Sequence, residues 1–86
     1  MNEYQRIISE FIQGQMGLIG PGVTLSIARK IPSLKIADSG EVLHISGDPK
    51  TALGDATEAF TSIFGEASRM ILRAVMQKHP DTHLEK

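Results

Sequence analysis

PKTALGDATEAFTSIFGEASRMILRAVMQK, residues 49–78, keeps one apolar stripe in helical phase almost from end to end. Leu53, Ala56, Phe60, Ile63, Ala67, Met70 and Ala74 recur at alternating short helical spacings, and Phe64, Ile71 and Val75 widen the stripe. Asp48 supplies a capping oxygen, Pro49 is already fixed near helical φ, and Pro80 forbids continuation. The spacing predicts a long C-terminal helix. At 1.5 Å per residue it would run about 45 Å, more than the rest of an 86-residue chain can cover. Either the helix breaks near Gly65 or a second subunit covers the excess. A homodimer is the preferred solution, with Leu53, Phe60, Ile63, Phe64, Ile71 and Val75 as the core and interface residues. Glu66, Arg69, Arg73 and Gln77 should face solvent.

Working outward, the first element is an amphipathic helix with Tyr4, Ile7, Ile8, Phe11 and Ile12 on one face. Gly14, Gly17, Gly20 and Gly22 interrupt it, and each glycine inside a helix costs about 1 kcal/mol relative to alanine. The helix should weaken or stop between Gly14 and Gly20. If Gly14 and Gly17 are helical all the same, their missing side chains let another helix approach closely. Gly20-Pro21-Gly22 opens a short helix in which Thr24, Ile27, Ala28 and Ile31 share a face. Pro32 ends it near Arg29 or Lys30.

From Ser33 the period changes to two. Leu34 and Ile36 alternate with Lys35 and Ala37, Asp38 to Glu41 is a turn, and Val42 to Ile45 is strand-like. A two-residue loop at Ser39-Gly40 would pair Ile36 with Leu43, Lys35 with His44 and Leu34 with Ile45, putting Leu34, Ile36, Leu43 and Ile45 on one face. An isolated ribbon is marginal in water, so its apolar face must rest on helices and its edges are free to pair with a second copy. The expected fold is α+β: helix, short helix, β-hairpin and long helix, one domain over residues 1–80 and a flexible tail over 81–86, completed by dimerisation through sheet and helix.

Composition excludes several functions. The chain has no cysteine, which removes disulfides, thiolate metal sites and cysteine nucleophiles and suits a reducing cytoplasm, the expected location. Nine basic against ten acidic residues argue against polyanion binding driven by counterion release. No membrane-spanning run is present. Three Phe, one Tyr and no Trp give little material for stacking bases.

The glycine cluster at 14–22 lacks the Gly-Lys-Ser/Thr of a phosphate loop and any preceding strand, so it reads as a helix-helix turn. His79 and His83 have helical metal spacing, but Pro80 separates them and no third ligand is near, so neither a metal nor a cofactor is expected. For catalysis His44 is the only histidine inside the expected fold, and an enzyme is not expected. Arg29, Lys30, Lys35 and His44 form a small basic group suited to an anion or a nucleic-acid backbone. Met16, Met70, Met76, Phe60 and Phe64 read as core before they read as a lipophilic pocket.

Leu18-Ile19-Gly20-Pro21-Gly22-Val23, followed by Ala28-Arg29-Lys30, resembles a segment of small accessory domains attached to bacterial signalling proteins. The resemblance implies a stand-alone interaction module and transfers no functional residue. The expected function is therefore a homodimeric protein-interaction or regulatory module. The alternative is nucleic-acid binding through the hairpin and the basic group, and third comes a small-molecule sensor with an apolar pocket between helices.

Overall fold

The apolar positions of the sequence close into one core over residues 3–79, which a computed structural model describes. The order is α1 (Glu3–Ile19), α2 (Pro21–Ala28), β1 (Leu34–Ile36), β2 (Val42–Ile45), α3 (Pro49–Phe64) and α4 (Glu66–Gln77). This is the α+β class expected, with the hairpin and the helices packed on a shared interior. The tail expected over 81–86, and His83 within it, lie outside the described residues.

α1 does not stop at its glycines. It continues through Gly14 and Gly17 to Ile19, and Gly20, at φ 90°, ends it. Gly14 is helical because α4 crosses there: a Cβ at this position would lie 2.6 Å from Ile71 Cγ2. At Gly17 nothing lies within 4 Å. α1 is the centre of the molecule, with Ile7, Ile8, Phe11 and Ile12 fully buried and Phe11 edge-on to Phe60 of α3 at a centroid distance of 5.6 Å.

α2 starts at Pro21 and ends at Ala28, short of Pro32, with Thr24, Ala28 and Ile31 buried. β1 and β2 pair antiparallel as expected at Leu34–Ile45 and Lys35–His44, but Ile36 pairs with Val42 and not with Leu43. The loop has three residues, Asp38 to Gly40: Ala37 N–H donates to the Glu41 carbonyl and Gly40 N–H to the Ala37 carbonyl, each at 2.9 Å. Gly40 takes the left-handed position that closes such a loop, φ 89°. Leu43 is then the extra residue of a bulge, which turns it outward, 51% exposed, while Val42 is fully buried. The inward set is Leu34, Ile36, Val42 and, half-buried, Ile45.

The strand edges are engaged within the chain. Val42 N–H donates to Ser9 Oγ (2.9 Å), the Val42 carbonyl accepts from Gln5 Nε2 (2.9 Å), and the Ile36 carbonyl accepts from Arg29 Nη2 (3.3 Å). α1 thus holds β2 by side chain-to-backbone bonds where a further strand would pair.

Asp48 caps α3 as expected, accepting from Thr51 N–H (3.0 Å) and the Thr51 hydroxyl (2.8 Å). The hydroxyl bond is the main reason its carboxyl sits below the ordinary value. The single long helix is replaced by two. Gly65, at φ 64° and ψ −134°, separates α3 from α4. The break fits the size of the molecule, whose longest dimension is 31 Å. It also advances the buried face by about one residue of helical phase. Ala52, Leu53, Ala56 and Phe60 are buried on α3, but on α4 the buried residues are Ser68 and Val75, with Ile71, Leu72 and Met76 half-buried, and Ala67, Met70 and Ala74 face outward.

Candidate functional site

α4 is held to α1 along its inner side by three kinds of contact. Ser68 and Gln15 are both fully buried: the Ser68 hydroxyl donates to Gln15 Oε1 at 2.8 Å, and Gln15 Nε2 points back at the Ser68 carbonyl at 3.5 Å. Gly14 admits Ile71 one turn on. At the far end His79 places Nδ1 against Glu3 and Nε2 at 3.2 Å from Glu10 Oε1. The Glu3 carboxylate raises the His79 pKa above its ordinary value, burial opposes this, and Glu10 adds to the rise. These pairs order α4 antiparallel to α1 and fix which side of it meets solvent.

The solvent side carries apolar residues. Ile63, on the last turn of α3, and Met70 are each 60% exposed, and Ala67 and Ala74 are exposed as well. Beside them Glu66 Oε2 lies 3.2 Å from Arg73 Nη1, and Glu66 Oε1 lies 3.8 Å from Arg69 Nε. All three charged side chains are more than half exposed, so these pairs contribute little to stability.

Of the six residues expected at core and interface, Leu53, Phe60 and Val75 are buried in the chain's own core, Phe64 and Ile71 are half-buried against it, and Ile63 alone faces outward. The sequence stripe therefore resolves into two faces. The signal for the split was Gly65 itself, together with Ser68, a polar residue in phase with Ile71 and Val75.

The basic group is spread over α2's end and the hairpin, and one of its members is paired. Arg29 is committed to Asp38, Nη2 to Oδ1 at 2.6 Å, as well as to the Ile36 carbonyl. Lys35 and His44 face each other across the hairpin on its exposed side, and Lys30 is exposed at the end of α2. What remains is a pair on a ribbon with exposed Leu43 next to it.

An open cleft of about 430 Å³ runs between α3 and α4, lined by Leu53, Thr57, Thr61 and Leu72 with the charged side chains of Lys50, Glu58 and Arg69. Thr57 and Thr61 donate their hydroxyls to the carbonyls of Leu53 and Thr57, both at 2.8 Å, so these protons are turned away from a ligand. Among the described residues no group of three His, Asp or Glu side chains comes together that could hold a metal ion. No described helix is long and apolar enough to cross a membrane. Comparison of this chain with protein-family models, with curated proteins and with solved structures gives no match.

Proposed function

We propose that the protein is a small, non-enzymatic interaction module that works as a homodimer joined through the outer face of α4 and the last turn of α3. One observation carries this reading: Ala67, Met70 and Ala74 lie exposed at helical spacing along the outer face of α4, and Ile63 is exposed on the last turn of α3, before the Gly65 break. Exposed apolar residues scattered singly need no explanation, but a series along one helix is the usual form of a helix-packing surface. Binding is favoured over catalysis because the described histidines are placed for other work. His79 lies between two carboxylates, and His44 sits on the open face of the ribbon.

The surface is modest. One helix face offers less than the roughly 800 Å² per partner of a standard stable complex, so the degree of association should depend on concentration. Sedimentation velocity across a concentration series tests this. A mass that rises toward the dimer, and falls back in Met70→Glu with no loss of melting temperature at dilutions where the parent chain is itself monomeric, is the expected result. A strict monomer up to the highest soluble concentration overturns the reading.

A weaker second reading, nucleic-acid binding, draws on exposed Lys35, His44 and Lys30. It requires duplex DNA binding that weakens steeply with salt, and Lys35→Ala should then reduce it.

A further inference from the structure

We infer that the two copies lay α4 antiparallel on α4 about a twofold axis in one register, with Met70 of each against Ala67 of the other and Glu66 opposite Arg73. This rests on the homodimer reading above and specifies its geometry. The exposed series on α4 alternates small and large, Ala67, Met70, Ala74, at spacings of three and four. Run antiparallel on itself about the midpoint of Ala67 and Met70, that series puts the methionine of each copy opposite an alanine of the other. Bulk then fills the gap the alanine leaves, and the helices can approach to near the lower end of the 8–10 Å range. A parallel pairing would stack methionine on methionine and alanine on alanine.

The charges select the same arrangement independently. Glu66 and Arg73 each precede one of the alanines, so they lie on the same flank of the stripe. In an antiparallel helix pair like flanks face each other, which brings Glu66 to Arg73 twice, once on each side of the axis. In a parallel pair Arg73 would face Lys78, a like charge. Glu66 and Arg73 already touch within the chain at 3.2 Å, both more than half exposed. Dimerisation exchanges the two internal pairs, one in each copy, for two between copies, so the charges set direction and register more than strength. The hairpin edge, expected from the sequence to pair with a second copy, is engaged within the chain. The Ile36 carbonyl and both backbone groups of Val42 are already bonded there.

The test is charge reversal read by sedimentation equilibrium, with circular dichroism as the control for folding. Glu66→Arg and Arg73→Glu should each raise the dimer dissociation constant on the order of tenfold, and the Glu66→Arg/Arg73→Glu double variant should restore it. The absence of cysteine allows a second probe. Mixed under oxidation, the Ala67→Cys and Met70→Cys variants should yield the mixed disulfide in preference to either symmetric one. Folded single reversals that dimerise like the parent chain, a double variant that stays dissociated, or dominant symmetric disulfides overturn the register while leaving the dimer standing. A parent chain that is monomeric throughout overturns the homodimer reading, and the register with it.

Discussion

Gly14 and Gly17 occupy the same helix one turn apart, and replacing each with alanine should move stability in opposite directions. Alanine in a helix interior is favoured over glycine by about 1 kcal/mol. At Gly17 a Cβ meets nothing within 4 Å, so Gly17→Ala should gain that full amount. At Gly14 the new Cβ would fall 2.6 Å from Ile71 Cγ2, far inside the roughly 3.5–4.0 Å of ordinary carbon contact. Ile71 has little rotamer freedom in a helix, being β-branched. α4 is also anchored on either side of it by the Gln15–Ser68 pair and by His79. The clash must therefore be relieved by moving α4 off α1. Overpacking of this kind costs about 1–3 kcal/mol, and subtracting the helix gain of about 1 kcal/mol leaves Gly14→Ala neutral to about 2 kcal/mol destabilised. At about 4–8 °C per kcal/mol for a domain near this size, calorimetry separates the two variants easily. Combining Gly14→Ala with Ile71→Ala removes the clash, so on the Ile71→Ala background Gly14→Ala should become stabilising. A Gly14→Ala protein that melts as high as Gly17→Ala would refute the close crossing of α1 and α4.

Two further perturbations probe the same seam. Ser68→Ala strips the hydroxyl from fully buried Gln15 Oε1. It should cost about 1–3 kcal/mol in urea unfolding, and adding Gln15→Leu should recover most of it by removing the other polar partner. His79 gives a pH dependence of definite sign. Both ring nitrogens can donate to Glu3 and Glu10 only in the protonated ring, and its pKa is raised above the ordinary 6.5 in the folded state. The stabilisation is therefore fully present below 6.5 and is lost as pH rises through the higher folded-state value. Melting temperature should fall over that interval in the parent chain, and His79→Gln should flatten the fall.

Local chemistry made several elements readable before any packing was known. Asp48-Pro49 with Thr51 is a capped helix start wherever it occurs, and Leu34 and Ile36 carry the strand alternation without help. The hairpin register was misread because Asp38-Ser39-Gly40 suits either a two- or a three-residue loop. The choice depends on α1, where Met16 Sδ lies 2.7 Å and Gln13 Cγ 3.1 Å from the place a Gly40 Cβ would occupy. The phase of α4 was hidden for a similar reason. A single glycine in a helical pattern costs only about 1 kcal/mol, too little to announce a break, and Ser68 reads as a blemish until Gln15 is seen across from it. The outward face follows from that break, so a periodicity argument that runs straight through Gly65 assigns Ala67, Met70 and Ala74 to the interior.

Gly65 also sets which molecule α4 belongs to. Its backbone lies toward a region that residues other than glycine enter at a cost of about 1–3 kcal/mol, and that bend alone returns α4 to the α1 of its own chain. Were residue 65 to straighten into a helix, α4 could lie on the α1 of a neighbouring chain and remake the Ile71–Gly14, Ser68–Gln15 and His79–Glu3 contacts there unchanged. The closed chain and the exchanged pair would then share one list of contacts and differ at a single hinge, the arrangement from which domain swapping arises. A non-glycine side chain at position 65 would therefore shift the balance from self-closure toward exchange without altering any residue of the core.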